Sequence, residues 1–361
     1  MGGSSSLGQG GQQAGMKRHK QLWERICAFE NITDAAREAM LGKRGTVAGA
    51  RFFADWEREV VRLERELREG SYRPGAYHYF QITDPKLRIV AAAPFRDRVV
   101  HHALVRVIEP LFESRFIEDS YACRQGKGTH AGMRRALDFA KRFPWAIKCD
   151  IRRYFPSIDH RILRGQIDRV IGDPDALRLI DLILASHVEC TETRWPEGGD
   201  LFEAEACAVG LPIGNLTSQF FANIYLDGFD HFVKQSLRAK GYVRYVDDFL
   251  IFGGSRTEVR ARGEAAREYL HGLRLEIHPD KYRSVRCADG VDFCGFVARA
   301  DGRVKLRESG VRRFKRRYRK LRRAAKRGLV PMADVTRSVR AWVAHAEHAQ
   351  SWRLRAAVLL R

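Results

Sequence analysis

The 361-residue sequence lacks the features of a secreted or membrane-spanning protein. No apolar run approaches the roughly 20 residues that cross a bilayer, and no signal-peptide pattern is present. The seven cysteines are odd in number and include no Cys-x-x-Cys pair, which argues against a disulfide framework or a zinc site. These absences predict that the protein has no membrane partner and works in a reducing, cytoplasmic environment.

Acidic residues are scarce relative to basic ones. The chain has 65 Lys and Arg against 44 Asp and Glu, a formal net charge of +21 at pH 7. This excess is larger than solubility requires, and it favours a polyanionic partner, nucleic acid before membrane. Because 45% of the residues are hydrophobic, the chain can still bury a core that supports two or three subdomains.

Composition divides the chain into three parts. Residues 1–15 are rich in Gly, Ser and Gln and are expected to form a disordered tail. Residues 16–298 alternate between helical and strand-like patterns. Residues 299–361 begin with a strongly basic stretch, since 299–327 contain 15 Lys or Arg and two acids. Apolar residues recur there every three or four positions, which predicts a helix with one apolar stripe made of Val311, Phe314, Tyr318, Leu321 and Ala325.

Two adjacent acids interrupt an apolar segment. Asp247 and Asp248 have apolar and aromatic neighbours on both sides within 242–252, which predicts a β-hairpin with the acids at its tip. A third acid, Asp150, ends the short apolar strand 145–151. Buried carboxylates usually need a cation, and three together could hold two Mg²⁺ ions about 3.5–4 Å apart for phosphoryl transfer. For the pair alone, a hairpin turn with two solvated acids is the alternative interpretation.

These acids belong to a longer series of motifs. In chain order the series comprises 85–90, 95–100, 121–130, Asp150 with Phe155, Gly-Leu-Pro-Ile-Gly-Asn-Leu-Thr-Ser-Gln at 210–219, Tyr-Val-Asp-Asp at 245–248, Lys281, and Phe-Cys-Gly-Phe at 293–296. This order, over about residues 17 to 350, resembles that of the reverse transcriptases. The resemblance implies an α+β right-hand polymerase fold. Fingers would run from about 17 to 140, interleaved with a palm that carries the catalytic β-hairpin to about 298, and a basic helical thumb would occupy 299–361.

The resemblance also implies a function and a set of site residues. The protein would be an RNA-directed DNA polymerase, a nucleotidyltransferase that copies template RNA from a primer into cDNA with dNTPs. The catalytic residues would be Asp150, Asp247 and Asp248, and these acids with Ile151 would bind two Mg²⁺ ions, for which Mn²⁺ could substitute. Residues expected to bind the nucleotide are Lys86, Arg88, Phe155, Ile213, Gly214, Gln219 and Lys281. Residues expected to bind primer or template are Arg96, Arg98, Arg124, Ser218, Tyr245, Phe293, Gly295, Phe296, Arg312 and Arg316.

Several of these residues have alternative roles. By resemblance, Phe155 is a steric gate that excludes the ribose 2′-hydroxyl by clash; an ordinary core position is the alternative. Lys281 is either a general acid for pyrophosphate or a lysine that contacts the nucleic-acid backbone. Arg96 and Arg98 either brace the template or pair with Asp97. The basic helix after 299 either contacts duplex phosphates or is a solvated surface.

One departure from the usual family pattern suggests a branch. Most reverse transcriptases have Gln-Gly and then Ser-Pro before the catalytic hairpin, whereas this chain has Ile213-Gly214 and then Ser218-Gln219. That pattern resembles diversity-generating retroelements of bacteria and phages, whose enzymes err opposite adenine and work with a small basic accessory protein. Loss of a polar contact at Ile213 would weaken discrimination. The alternatives are an antiphage-defence or group II intron-like reverse transcriptase, or a catalytically silent RNA-binding scaffold.

Overall fold

The computed structural model describes residues 18–43, 45–83, 87–194 and 205–360. The expected tail at 1–15 and the expected nucleotide contact Lys86 lie outside these ranges. Among the described residues, no helix is both long and apolar enough to cross a membrane.

The described residues form a mixture of helices and strands. The α-helices are α1 (Trp23–Cys27), α2 (Phe29–Met40), α3 (Val47–Ala54), α4 (Trp56–Arg68), α5 (Phe95–Glu113), α6 (Thr129–Arg142), α7 (Tyr154–Ser157), α8 (His160–Asp168), α9 (Pro174–Ala185), α10 (Leu216–Tyr225), α11 (Asp227–His231), α12 (Arg256–Gly272), α13 (Glu308–Lys326), α14 (Met332–Ala346) and α15 (Trp352–Leu359). A π-helical turn spans Phe232–Ser236 and a 3₁₀ turn spans Pro279–Lys281. The strands are β1 (His78–Ile82), β2 (Arg88–Ala92), β3 (Trp145–Asp150), β4 (Cys190–Arg194), β5 (Glu205–Val209), β6 (Gly241–Tyr245), β7 (Asp248–Gly253), β8 (Arg283–Arg286), β9 (Val291–Phe293), β10 (Phe296–Ala298) and β11 (Val304–Leu306).

The chain divides into two compact units, and each is built from two stretches of sequence. Unit 1 contains the residues up to Ser114 together with Asp159–Ser218. Unit 2 contains Arg115–Ile158 together with Gln219–Arg361. The chain therefore passes from unit 1 to unit 2 after Ser114, returns to unit 1 at Asp159, and enters unit 2 again at Gln219.

Unit 1 is mainly helical. Helices α2 and α5 pack closely, since Ile32 and Ala36 of α2 and Val99 and Leu104 of α5 are all buried. Two antiparallel hairpins, β1–β2 and β4–β5, complete the unit. The side chains of β1 are all exposed, whereas Ala91 of β2 is buried.

Unit 2 is built on a four-stranded antiparallel sheet with the order β6-β7-β3-β8. Successive side chains of a strand point to opposite faces, and in β3 the neighbours Ala146 and Ile147 are both fully buried. Ala146 packs in one cluster with Phe139 of α6, whereas Ile147 lies against Gly263 of α12. Because a helix covers each face, the central strands consist of nearly continuous apolar residues.

A three-stranded sheet and the last three helices complete unit 2. The order of this sheet is β11-β10-β9. The basic stretch forms α13, as expected, and its apolar stripe packs on α14. The Phe314 and Trp342 rings stack there with centroids 4.2 Å apart.

Two expected boundaries differ from those observed. The predicted fingers ended near residue 140, but α6 packs its apolar face on the sheet of unit 2, and 159–218 belong to unit 1 instead. The predicted thumb began at 299, but β11 pairs with β10, so the helical part begins at Glu308. The first difference comes from contacts between residues far apart in sequence, whereas the second comes from a local hairpin of short strands that the basic composition obscured.

Candidate active site

The two adjacent acids lie at the turn of the predicted hairpin. Strands β6 and β7 pair antiparallel with Tyr245 opposite Asp248, so Val246 and Asp247 form the connection. Val246 has φ +56°, a left-handed conformation that is rare for a β-branched residue. The buried Arg244 donates a hydrogen bond to the Val246 carbonyl oxygen at 3.1 Å, which helps to hold this turn. The strained turn is therefore supported from within the sheet.

The third acid lies beside this turn. Strands β3 and β7 pair antiparallel with Asp150 directly opposite Asp248. The Ile151 N–H donates to the Asp247 carbonyl oxygen at 3.0 Å, and the His278 N–H donates to the Asp150 carbonyl oxygen at 2.8 Å. Directly opposed residues in such a pair have Cβ atoms about 4.5–5.5 Å apart. The backbone of three separate segments thus brings the acids to one end of the sheet.

Two lysines neutralise part of this negative charge. Lys281 Nζ lies 2.5 Å from Asp150 Oδ1, and Lys148 Nζ lies 3.4 Å from Asp248 Oδ2. Burial raises the pKa of Asp248 to about 7; the Lys148 charge opposes this rise, whereas Asp150 and Asp247 add to it. A carboxyl group with this pKa is poised to change charge near neutral pH.

The donor atoms fit a divalent ion such as Mg²⁺. Asp248 Oδ1 is buried without a hydrogen-bond partner, and carboxylate oxygens are the ligands that Mg²⁺ prefers. In the described part of the chain, however, no three His, Cys, Asp or Glu side chains are close enough to form a coordination site. The lysine ammonium groups form ion pairs with Asp150 and Asp248. Binding of two ions by these acids therefore stays a prediction, and the Ile151 side chain has no donor atom, so only its backbone carbonyl could contribute.

Phe155 lies five residues beyond Asp150, in the short helix α7. Its neighbour Tyr154 is buried and donates its hydroxyl hydrogen to the Ala222 carbonyl oxygen at 2.5 Å. Phe155 is itself partly exposed, and its ring packs edge-on against Tyr154 with centroids 5.7 Å apart. The alternative of an ordinary core position therefore suits Tyr154 and not Phe155.

Three expected nucleotide-binding residues lie together in unit 1. Arg88 is exposed at the start of β2. The Ile213 carbonyl oxygen accepts a hydrogen bond from the Ala91 N–H at 3.1 Å, so this loop lies along β2. Gly214 has φ +112°, and a Cβ there would lie 2.8 Å from Val90 Cγ1, so both conformation and space require glycine.

Three side chains expected to contact primer or template are buried. Ser218, Phe293 and Phe296 have exposed fractions of 1%, 1% and 0%. Direct contact of these side chains with nucleic acid is therefore corrected to a role in packing, because buried side chains present no surface to a strand. In contrast, Gly295 between the two phenylalanines is partly exposed, as is Tyr245, and Gln219 is exposed.

Three expected basic contacts have partners within the protein. Arg96 pairs with Glu66, and Arg98 Nε donates to the Ala93 carbonyl oxygen at 2.9 Å. Arg124 Nη1 donates to the carbonyl oxygens of Ile117 and Ser120 at 2.6 and 2.8 Å. These contacts indicate structural roles, so contact with primer or template stays a prediction for all three.

The hydrogen bonds of Asp97 go to residues other than its neighbours Arg96 and Arg98, although burial raises the pKa of Asp97 and the Arg96 charge opposes that rise. Asp97 is buried and accepts hydrogen bonds from the Tyr72 hydroxyl at 2.9 Å and the Gly75 N–H at 2.8 Å. Its two neighbours in sequence point elsewhere because successive helical residues do not share a face.

Arg312 and Arg316 are exposed on α13, as the amphipathic pattern predicted. They line an open groove of about 790 Å³ on one side of this helix. The residues lining this groove are Arg312, Lys315, Arg316, Arg319, Lys320, Arg323, Ala324, Arg327 and Leu329. A groove with seven cationic side chains suits a phosphate backbone.

Sequence reasoning missed two groups of residues that support the site. Arg244 is fully buried and forms a bidentate contact with Asp230, with Nη2–Oδ2 and Nε–Oδ1 distances of 2.6 and 2.8 Å. Lys148 was missed although it lies two residues before Asp150, on the same face of the same strand. A charged residue within an otherwise apolar strand is the signal that could have revealed both.

Comparison with known proteins identifies the family of the chain. The family model for reverse transcriptase (RNA-dependent DNA polymerase) matches residues 83–298. The chain belongs to this family, and so to the class of RNA-directed DNA polymerases, which are nucleotidyltransferases. The expected α+β reverse transcriptase fold is confirmed. Members of the family generally use divalent ions, typically Mg²⁺.

Individual relatives share less than a third of their aligned residues with this chain. Protein YkfC of Escherichia coli (strain K12) is 29% identical over 278 residues, which cover 66% of this chain and 70% of that protein. The group II intron-encoded protein LtrA of Lactococcus lactis subsp. cremoris is 26% identical over 50% of this chain and 29% of its own length. Among solved structures, an apo telomerase from Candida tropicalis aligns with a TM-score of 0.47 and 12% identity, over 64% of this chain and 55% of that one.

The raised pKa of Asp248 predicts a pH-dependent effect of Asp248→Asn in chelator-treated protein. The folded state holds this proton up to about pH 7, whereas an unfolded Asp loses it near 3.9, so the wild type loses stability between those values. Asn cannot ionise. The free energy of unfolding of Asp248→Asn, relative to wild type, should therefore rise by up to about 4 kcal/mol between pH 4 and pH 8.

Urea unfolding at several pH values measures this difference. Asp289→Asn is the matched control, because the Asp289 side chain is exposed and its ion pair with Arg286 is exposed too. A constant difference between Asp248→Asn and wild type across this range would contradict the prediction.

Proposed function

We propose that this protein copies an RNA template into cDNA by phosphoryl transfer at the cluster formed by Asp150, Asp247 and Asp248. The observation that carries the proposal is the β3–β7 register, which sets Asp150 opposite Asp248 while Ile151 hydrogen-bonds to the backbone of Asp247. Phosphoryl transfer depends mainly on positioning and charge neutralisation, and a rigid set of carboxylates provides the first of these.

Different residues of the chain would bind the metal ions, the triphosphate, the sugar and the nucleic-acid strand. Mg²⁺, when held by the three carboxylates, supplies charge neutralisation for the phosphate groups. Lys281, which is 37% exposed beside Asp150, can offer its charge to the triphosphate. The partly exposed Phe155 ring would limit space at the sugar, and the basic groove of α13 would hold the strand through its phosphates.

Primer extension on an RNA template tests the catalytic role. We expect Asp247→Asn to lower the extension rate at least about 100-fold, because it removes one carboxylate that would hold the divalent ion. Asp289→Asn, an exposed acid in the same unit, should extend as wild type does. Absence of extension by the wild type, even with cognate RNA and accessory protein supplied, would favour the scaffold alternative.

The sugar selectivity of single-nucleotide extension tests Phe155. We expect Phe155→Ala to raise incorporation of ribonucleotides relative to deoxynucleotides about tenfold or more, since a smaller side chain leaves room for the 2′-hydroxyl. Phe53→Ala on α3, where Phe53 is 48% exposed, is the control for loss of a surface ring. Unchanged discrimination in Phe155→Ala would remove this residue from the gate.

The biological role is proposed at a finer level. The Ile213-Gly214 and Ser218-Gln219 pattern supports mutagenic copying in a diversity-generating retroelement, with template RNA, primer and a small basic accessory protein as partners. The relatives support a second role, because LtrA is a group II intron-encoded protein. Neighbouring DNA separates them: a template repeat matched to a variable repeat that differs at adenines would support the retroelement, and its absence would favour the intron-like or defence role.

The error spectrum of the cDNA tests Ile213. We expect Ile213→Gln to lower misincorporation opposite adenine by about two- to tenfold, the effect of one added hydrogen bond. Val61→Gln, at an exposed position of α4, controls for the same change of chemistry. An unchanged spectrum in sequenced products would mean that Ile213 only packs.

A further inference from the structure

Lys148 lies between a proposed catalytic acid, Asp248, and strand β9 of the three-stranded sheet. Its ammonium group is 3.4 Å from Asp248 Oδ2 and donates a hydrogen bond to the Asp292 carbonyl oxygen at 2.7 Å. It also lies 4.0 Å from Asp292 Oδ1. The side chain is only 18% exposed, so the protein keeps this charge buried by giving it partners on two strands, β7 and β9.

Asp292 continues this set of contacts towards the basic helix. Arg307 Nε donates to Asp292 Oδ1 at 2.7 Å, and Arg307 Nη2 contacts the same oxygen. The Arg307 N–H also donates to the Gly295 carbonyl oxygen at 2.9 Å. Arg307 directly precedes α13, so one residue fixes the start of this helix to both Asp292 and the turn at Cys294-Gly295.

Asp248, Lys148, Asp292 and Arg307 therefore form an ionic network of alternating charge. Its members come from β7, β3, β9 and the residue before α13, and all lie in unit 2. The turn at Cys294-Gly295 has φ +50° and +88°, a conformation that needs support from its surroundings. The Arg307 N–H supplies part of that support through the Gly295 carbonyl oxygen, while its side chain joins the ionic network.

We propose that Lys148 is a positioning residue which couples the Cys294-Gly295 turn and the start of α13 to the carboxylate of Asp248. This inference rests on the proposed polymerase function and on the expectation that Gly295 of this turn contacts the primer. The network sets the distance between the primer end and the catalytic acids. Its loss slows the chemical step because the reacting groups are misplaced, although the basic groove still binds the strand.

Single-turnover extension at saturating dNTP, with the Kd for primer–template measured in parallel, tests this role. We expect Lys148→Met to lower the extension rate about 10- to 100-fold while the Kd changes less than about threefold. The matched control is Lys240→Met, the same substitution at an exposed position of unit 2; it should leave both quantities unchanged. A wild-type rate in Lys148→Met, or a loss that appears only in Kd, would overturn the inference.

A double-mutant cycle separates coupling from independent damage. Asp292→Asn and Arg307→Gln should each slow extension, and either one combined with Lys148→Met should slow it little further, because all break one network. Losses that multiply would overturn the inference. If Lys148→Met fails to fold, the cycle between Asp292→Asn and Arg307→Gln decides by the same criterion. A wild type that extends no primer would overturn the proposed function and this inference with it, whereas an active wild type with unaffected variants overturns this inference alone.

Discussion

The register between β3 and β7 is the constraint on which the site depends. It sets two carboxylates, Asp150 and Asp248, opposite each other, an arrangement that like charges oppose. Lys148 and Lys281 offset part of this repulsion, and burial of nearly all the side chains of β6 and β7 between helices stabilises the strand pairing. A shift of the strand pairing by one residue would exchange the side chains between the two helix-covered faces and disrupt their packing. The packing of the core therefore enforces the position of the acids. The same strand register thus determines both the stability of the sheet and the geometry of the site.

The buried ion pair of Arg244 and Asp230 also serves the geometry of the site, because Arg244 contacts the turn between β6 and β7. Desolvation makes such a pair a poor source of stability, and an apolar replacement of similar shape is often as stable. What it provides here is direction: Arg244 also reaches the Val246 carbonyl oxygen, and Tyr242 donates its hydroxyl hydrogen to Asp230 Oδ1 at 2.6 Å. The left-handed turn is therefore held by hydrogen bonds that an apolar core could not make.

Local patterns were sufficient for the hairpin, for strand β3 and for the amphipathic helix α13, because periodicity and strand-ending acids report on neighbours in sequence. They were insufficient for Ser218, Phe293 and Phe296, since a motif identifies a residue without indicating which way its side chain points. The two-segment composition of unit 1 could not be predicted either, because it depends on contacts between residues before 114 and after 159. Lys148 stands out in the sequence as a charged residue in an apolar strand. Its role could not be predicted because its partners, Asp248 and Asp292, are distant in sequence.

The two lysines at the acids differ in a way that bears on their roles. Lys148 is 18% exposed within a central strand and is anchored by the Asp292 carbonyl oxygen. Lys281 is 37% exposed at the end of a one-turn 3₁₀ segment, so its ammonium group is already partly hydrated and loses less when it leaves Asp150 for solvent. A side chain that leaves Asp150 at low cost exposes that carboxylate and becomes available to a phosphate, whereas one fixed between two strands can only hold its partners in place. The more exposed Lys281 therefore suits substrate binding, and the more buried Lys148 suits alignment of the groups around Asp248.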